Sequence, residues 1–247
     1  MKNNSHSNIL ADARRIINDD TPFAVKEAYR TLYTNLMYLP MESSCKKMVF
    51  TSAYPGEGKT SVSINIAYTI ANTSPEARVL LIDADMRSPR VAQLLGIDTE
   101  EKHGLSEFLA GIDETPNLTE TRYPNLSLLT SGAESVNTPA LLASSKVEKL
   151  AAYCDANYDY VIIDTPPINV VADAIFLSSH VDGYIIVTRA DYSDINSVSE
   201  AVDKLLKVDA RVLGSVLCSL DTKKLSGYGK YGKYDRYSKY DTSKYSK

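Results

Sequence analysis

The chain has 247 residues, 44% of them hydrophobic, which is enough for one domain with a sizeable core. Its three widely spaced cysteines match no metal-ligand spacing and indicate a reducing compartment rather than a disulfide scaffold. The formal net charge is −4, but it is unevenly distributed. Residues 222–247 carry seven Lys, one Arg and two Asp, a net charge of +6, so residues 1–221 carry −10. An acidic body argues against a nucleic-acid surface.

The amino-terminal residues 1–21 are expected to form a flexible arm. The first eight residues are polar and lack the apolar core of a signal peptide. No apolar run is long enough to cross a bilayer, so we expect any membrane association to depend on a partner. Residues 22–40 have apolar side chains at helical spacing between Pro22 and Pro40. This pattern predicts a helix that packs on the body or makes a subunit contact.

Strands and helices alternate through the body, which we predict to be one domain over residues 22–221. The predicted strands are 47–52, 78–83, 126–129, 160–164, 183–188 and 212–217. The predicted helices after the first are 59–72, 89–95, 105–109, 138–157, 172–178 and 193–206. Apolar strands separated by helices indicate an α/β fold, a mostly parallel sheet with helices on both faces. Such a sheet binds ligands at the carboxyl ends of its strands.

A glycine-rich turn, AYPGEGKT at 53–60, joins the first predicted strand to its helix. Its glycines lack the Cβ that would keep phosphate oxygens from backbone N–H groups, and the helix presents its positive end. Lys59 can then reach the β- and γ-phosphates of a nucleoside triphosphate while the Thr60 hydroxyl ligates Mg²⁺, the P-loop pattern with Ala53 in place of the first glycine. The alternative is an ordinary glycine-rich turn. The expected nucleotide-binding residues are Gly56, Glu57, Gly58, Lys59, Thr60 and Ser61.

Aspartates end two of the predicted strands. Asp83 ends the second strand, with Asp85 two residues later, and Asp164 ends another strand after four apolar residues. A carboxylate at a buried strand end is costly without a cation or hydrogen bonds, and Mg²⁺ supplies the cation. Asp164 therefore fits a Walker B residue, the alternative being a strand-end turn or helix cap. Arg87 could steady phosphate charge or form a surface ion pair.

Asp83 and Asp85 would share a face on an extended strand end, so one can ligate Mg²⁺ while the other accepts a proton from an incoming hydroxyl. A tyrosine hydroxyl, whose reference pKa is about 10, is protonated at neutral pH and gains from such a base. We favour Asp83 as the base and Asp85 as the metal ligand. The expected catalytic residues are Lys59, Asp83 and Asp85, and the expected metal ligands are Thr60, Asp85 and Asp164.

The end of the chain, residues 222–247, changes in character. It has Tyr at nearly every third position among Gly, Ser and Lys, and no aliphatic residue after Leu225, which predicts a disordered tail. A basic tail could bind anionic lipid or an acidic partner. Alternatively its tyrosines accept phosphate, namely Tyr228, Tyr231, Tyr234, Tyr237, Tyr240 and Tyr245. Six phosphates of about −1.5 to −2 each would reverse the tail charge to between about −3 and −6 and loosen subunit contacts.

The loop at 53–60, the strand end LIDADMRSP at 81–89, the segment YDYVIIDTPP at 158–167 and the tail together resemble the bacterial tyrosine kinases. The chain is most similar to the stand-alone Gram-positive type that regulates capsule or exopolysaccharide synthesis, over roughly residues 22–240. The resemblance implies ATP-dependent autophosphorylation of the tail in a neighbouring subunit. It identifies Gly58, Lys59 and Thr60 as Walker A, Asp83 and Asp85 as Walker A′, and Asp164 as Walker B.

The resemblance also implies partners. The family is activated by the cytoplasmic end of a transmembrane protein that governs polysaccharide chain length, so we expect a cytoplasmic chain recruited to the inner face of the membrane. A cognate tyrosine phosphatase and a homo-oligomeric ring are also expected, with Glu27 and Arg30 at the subunit contact. Tyr33 stands where the family has a second arginine, and Cys218 stands where relatives often have an asparagine that meets the adenine.

Two other functions remain open from the sequence. Deviant-Walker ATPases that position septa or plasmids share this domain type, but they usually have a second lysine early in the loop, and neither Ser52 nor Ala53 is a lysine. They also tend to end in an amphipathic membrane helix, which the composition of residues 227–247 does not favour. A third interpretation is a nucleotide-gated assembly subunit whose tail is modified by another kinase.

Overall fold

The computed structural model describes residues 15–41, 43–99, 103–134 and 137–219. The helices are α1 (Phe23–Met37), α2 (Lys59–Thr73), α3 (Val91–Leu95), α4 (Leu105–Ala110), α5 (Thr138–Leu142), α6 (Lys146–Asn157) and α7 (Ile195–Leu206), and a 3₁₀ helix spans Asp173–His180. The strands are β1 (Lys46–Ser52), β2 (Val79–Asp83), β3 (Thr119–Glu120), β4 (Leu126–Leu129), β5 (Tyr160–Asp164), β6 (Gly183–Arg189) and β7 (Val212–Cys218).

These strands form one sheet in the order β3–β4–β2–β5–β1–β6–β7. All neighbouring strands are parallel except β3 and β4. Because the parallel strands point the same way, their carboxyl ends meet at one edge of the sheet, and the register sets Asp83 beside Asp164 there. The mostly parallel α/β sheet predicted from the sequence is confirmed.

The side chains of β1 alternate between two apolar clusters on opposite faces of the sheet. Met48 and Phe50 pack with residues of α1, α2 and α3, whereas Val49 packs with residues of α4 to α7 and the 3₁₀ helix. All three side chains are fully buried. Helices therefore cover both faces of the sheet, as predicted. The carboxyl end of β1 lies in the interior of the edge at which the parallel strands end.

The helix predicted over residues 22–40 is α1, which packs on α2. Its buried residues are Tyr33 and Leu36. The Tyr33 hydroxyl lies 2.8 Å from the Ser74 Oγ, and its ring meets the Tyr160 ring edge-on. Tyr33 is only 3% exposed, so it belongs to the core of the domain.

Three parts of the secondary structure differ from the prediction. Residues 138–157 form two helices, because α5 ends at Leu142 and α6 begins at Lys146. Ser144 and Ser145 lie between them, and serine favours helix ends because its hydroxyl competes for backbone hydrogen bonds. The segment predicted as a helix over 172–178 is a 3₁₀ helix. Strand β3 has two residues, too few to be recognised from periodicity.

No helix in the described part of the chain is long and apolar enough to cross a bilayer. The first 14 residues and residues 220–247, with all six candidate acceptor tyrosines, lie outside the described residues. The division of the chain into arm, body and tail therefore stays a prediction.

Candidate active site

The turn after β1, residues 53–60, has the conformation of a phosphate-binding loop. Gly56 and Gly58 have φ angles of +85° and +93°, which residues with a Cβ rarely adopt. A Cβ on Gly56 would lie 3.2 Å from the Tyr192 hydroxyl, and one on Gly58 would lie 3.1 Å from the Cys218 sulfur. The backbone conformation therefore favours glycine at both positions, a Cβ at either would press on its neighbour, and α2 begins directly after the second glycine.

The peptide groups of this loop are arranged asymmetrically. Each carbonyl of residues 52–58 accepts a hydrogen bond. By contrast, the N–H groups of residues 56–60 find no acceptor within the described ranges. Free N–H groups at the start of a helix form an anion site, because they point toward the ligand at the positive end of the helix.

Lys59, the first residue of α2, lies between two carboxylates. Its Nζ is 2.9 Å from Oδ2 of Asp85 and 3.7 Å from Oδ2 of Asp164. Burial lowers the pKa of Lys59, but the charges of Asp164 and Asp85 outweigh burial and hold the pKa above its usual value. The lysine is therefore charged at neutral pH and available to a phosphate.

Asp164, at the end of β5, has one carboxylate oxygen that pairs with Lys59 at 3.7 Å but accepts no hydrogen bond among the described residues. Its Oδ1 accepts a hydrogen bond from the Ser63 hydroxyl at 3.1 Å, whereas its buried Oδ2 has no hydrogen-bond partner in the described chain. Burial raises the pKa of this carboxyl group. A buried carboxylate oxygen without a hydrogen bond is costly; the Lys59 charge at 3.7 Å compensates it in part, and a metal ion bound to it would complete the compensation.

The residues around Asp164 fit Mg²⁺ bound together with a nucleotide. No group of three or more acidic, histidine or cysteine side chains in the described ranges is arranged to hold a metal ion by itself. Mg²⁺ at phosphate sites usually takes one or two carboxylates, and phosphates and waters complete its shell. Oδ2 of Asp164 and the carboxylate of Asp85 supply such ligands, and the Thr60 hydroxyl lies 3.4 Å from the Lys59 Nζ.

Asp83 lies deeper than Asp85 and is 1% exposed. Burial, with the nearby charge of Asp164, raises the pKa of Asp83 to about 7. Its two carboxylate oxygens accept hydrogen bonds from the backbone N–H groups of Asp85, Arg90 and Val91. Among the described residues, Oδ1 accepts only the Asp85 N–H, so this oxygen keeps a lone pair that can accept a proton.

Arg87 is paired with a buried carboxylate. Its Nε and NH2 donate to the two oxygens of Asp173 at 2.7 and 3.1 Å. Asp173 is the first residue of the 3₁₀ helix after β5, so the pair joins the loop after β2 to the segment after β5. Of the two roles expected for Arg87, the structure shows an ion pair, and its partner Asp173 was not recognised in the sequence.

A cavity of about 420 Å³ adjoins the phosphate loop on the side of α1. Its volume lies in the range of small-molecule pockets. Gly58 and Ser61 line it beside the free N–H groups, and Tyr29 lines it from α1. Cys218, at the position that the resemblance assigns to the adenine, also lines it and donates its thiol to the Glu57 carbonyl at 3.1 Å.

Glu27 and Arg30, the expected subunit-contact residues, form an ion pair with each other on α1. Arg30 is exposed and Glu27 is half-buried. Tyr33, the third position of that spacing, is in the core. This position therefore contributes packing inside the domain, and the role of the other two at a subunit contact stays a prediction.

Sequence reasoning missed the connection between β6 and α7. Tyr192 donates its hydroxyl to the Pro55 carbonyl at 3.0 Å, and Arg189 donates NH1 to the Gly56 carbonyl at 3.1 Å. Both residues lie at the carboxyl end of β6, where a parallel sheet is expected to bind ligands. Their place just after a predicted parallel strand was the feature of the sequence that could have identified them.

Comparison with known proteins places this site in a family. Residues 45–215 match the model of the AAA domain. The chain is 34% identical over 215 residues to the putative tyrosine-protein kinase CapB of Staphylococcus aureus, covering 86% of this chain and 92% of that protein. It is 34% identical over 206 residues to the tyrosine-protein kinase YwqD of Bacillus subtilis, covering 82% of this chain and 84% of that protein.

Solved structures agree. The kinase domain of the Escherichia coli tyrosine kinase ETK superimposes with a TM-score of 0.73 at 32% identity, covering 78% of this chain and 74% of that chain. The MinD cell division protein of Aquifex aeolicus superimposes with a TM-score of 0.59 at 24% identity, covering 74% and 73%, which shows a shared fold alone. The phosphate loop, the carboxylates at its edge and these relatives lead to one conclusion: the chain belongs to the family of bacterial tyrosine-protein kinases.

Proposed function

We propose that the chain transfers the γ-phosphoryl group of ATP to tyrosine hydroxyls of its own tail, in a neighbouring subunit. The observation that carries this proposal is the position of Lys59 between Asp85 and Asp164, beside a row of free N–H groups. Such a set of groups suits a triphosphate and its metal ion better than a neutral ligand. The family relatives support a protein hydroxyl as the acceptor.

In this proposal each group has a role. The N–H groups of residues 56–60 bind phosphate oxygens, and Lys59 leaves its carboxylate partners to reach the β- and γ-phosphates. Thr60, Asp85 and Asp164 would hold Mg²⁺, which would neutralise the charge on the phosphates. Asp83 remains our proposed base for the tyrosine proton, which its Oδ1 can accept while it keeps its hydrogen bond from the Asp85 N–H.

We assign the nucleoside of ATP to the cavity beside α1. The cavity opens next to Gly58 and Ser61, so a triphosphate on the free N–H groups would direct its sugar and base toward it. Cys218 lines this cavity from β7, and Tyr29 lines it from α1. Part of the nucleotide site would then be built by the segment before β1.

The proposed acceptors are Tyr228, Tyr231, Tyr234, Tyr237, Tyr240 and Tyr245. The resemblance of the motifs further supports a role in regulating capsule or exopolysaccharide synthesis at the inner face of the membrane. The expected partners are a transmembrane activator, a tyrosine phosphatase and further copies of this chain. The alternative, a positioning ATPase, has weaker support, because the similarity to MinD, at 24% identity, shows only a shared fold.

The proposal is tested by mapping phosphotyrosine after incubation with Mg-ATP, with and without a peptide from the cytoplasmic end of the activator. Wild-type protein should gain phosphate on the tail, and Lys59→Met should gain none when it is purified alone. Lys149→Met, on the exposed side of α6, is the matched control and should behave as the wild type.

Mixing the two forms tests transfer between subunits. A shortened or tagged Lys59→Met chain should become phosphorylated when active wild-type protein is added. Phosphate on Lys59→Met alone would refute the autokinase proposal. Phosphate confined to the wild-type chains of the mixture would refute transfer between subunits while leaving the kinase proposal intact.

A further inference from the structure

Donors from elsewhere in the chain cover the carbonyl side of the phosphate loop. Tyr192, Arg189 and Cys218 donate, in that order, to the three successive carbonyls of residues 55–57 at 3.0, 3.1 and 3.1 Å. Arg189 ends β6 and Cys218 ends β7, so these contacts come from the strands that follow β1 in the sheet. The N–H side of the same loop is left open.

The loop also contains a carboxylate that must stay away from phosphates. Glu57 is 2% exposed, and its carboxylate accepts the Tyr54 N–H at 2.8 Å and the Ser193 hydroxyl. The Ser193 hydroxyl in turn accepts the Arg189 N–H at 2.8 Å. A glutamate turned toward the N–H side would repel a bound triphosphate by charge. These hydrogen bonds hold it on the carbonyl side.

Tyr192 does little for the core of the domain, because it is 56% exposed. Its ring lies 5.2 Å from the Arg189 guanidinium, and its hydroxyl lies where a Cβ on Gly56 would contact it. The two side chains therefore support each other and the loop. Loss of the Tyr192 hydroxyl alone should change the loop without unfolding the protein.

We propose that Arg189, Tyr192 and Ser193 are positioning residues that preset the phosphate loop for ATP. Tyr192 and Arg189 hold two carbonyls and Ser193 holds the Glu57 carboxylate away from the ligand side, so that the N–H groups of residues 56–60 face the phosphates before the nucleotide arrives. A loop without these contacts would be ordered only on binding, at a cost in affinity. This proposal rests on the proposed nucleotide site.

The test is the dissociation constant of Mg-ATP, measured by titration calorimetry on the full chain. Tyr192→Phe keeps the ring and removes the hydroxyl, and it should raise Kd about fivefold, the effect of one neutral hydrogen bond. KM for ATP should rise in parallel, and kcat at saturating ATP should not change, because Tyr192 does not touch the transferred group. The melting temperature without nucleotide should stay at the wild-type value.

A second pair of variants and a matched control complete the test. Ser193→Ala should raise Kd in the same direction, and Ser193→Thr, which keeps a hydroxyl, should restore it. Tyr38→Phe removes a tyrosine hydroxyl at the end of α1, where the side chain is 83% exposed, and should leave Kd unchanged. A rise in Kd that is equal for Tyr38→Phe and Tyr192→Phe would overturn the proposal.

Lys59→Met distinguishes a failure of the proposed nucleotide site from a failure of the proposed positioning role. If Lys59→Met loses ATP binding while Tyr192→Phe and Ser193→Ala bind as the wild type, the positioning role is wrong and the nucleotide site stands. If Lys59→Met binds ATP as tightly as the wild type, the proposed nucleotide site is wrong, and the positioning role falls with it.

Discussion

The ion pair between Arg87 and Asp173 is asymmetric in its exposure. The Arg87 side chain is 36% exposed, whereas that of Asp173 is 1% exposed. Removal of the arginine leaves a buried carboxylate without its cation. Removal of the aspartate charge leaves a guanidinium that water can reach. The energetic cost of the two changes should therefore differ.

We expect Arg87→Met to lower the free energy of unfolding by about 3 kcal/mol and Asp173→Asn by about 1 kcal/mol. Urea denaturation of the single variants measures both values. The double variant should be more stable than Arg87→Met, because it no longer buries an unpaired charge. Equal losses for the two single variants would contradict the asymmetry.

At the residue scale, the sequence could predict those site residues that belong to a local motif. Lys59 and Asp85 stand at fixed distances from a glycine-rich turn and a strand end, and the structure brings them to 2.9 Å from each other. Arg189 could not be found in this way, because it contacts Gly56 across 133 positions of the chain. That contact exists because β6 lies beside β1 in the sheet. No local sequence pattern specifies the order of the strands.

At the scale of elements, α1 depends on Tyr33 for its attachment to the body. Tyr33→Phe should cost about 1 kcal/mol of stability through the lost hydrogen bond to Ser74. Tyr33→Arg, which restores the arginine of the family pattern, should cost about 3 kcal/mol or more, because it places a cation in the core. Chemical denaturation measures both. An arginine variant as stable as the wild type would show that this position can reach solvent and could serve a subunit contact.

The six predicted strands begin and end within one residue of the observed β1, β2, β4, β5, β6 and β7. Interior strands of a parallel sheet need uninterrupted apolar runs, and such runs are easily recognised. Helix boundaries were less certain, since the pattern over residues 138–157 remains periodic across the break between α5 and α6. The helix predicted over residues 172–178 is present, but its 3₁₀ type was not predicted, because its apolar residues fit either helix type.

At the scale of the whole molecule, charge should control assembly. The tail carries +6 and the body −10, so an unmodified tail is attracted to neighbouring bodies. Phosphorylation of six tyrosines would make the tail negative and replace attraction by repulsion. We expect the phosphorylated protein to have a lower oligomeric mass than the phosphatase-treated protein, as measured by light scattering at low salt. Equal masses would contradict this.

The position at which β7 ends determines which nucleotide site the tail can reach. Cys218 and Ser219 line the cavity beside the phosphate loop, so the tail starts from the nucleotide edge of its own domain. Tyr228 follows Ser219 by nine residues, a tether of at most about 30 Å when fully extended. A tether of this length keeps the acceptor near its own site at an effective concentration on the order of millimolar. The proposed transfer to a neighbour would therefore have to be imposed by contacts between subunits, since the reach of the chain does not enforce it.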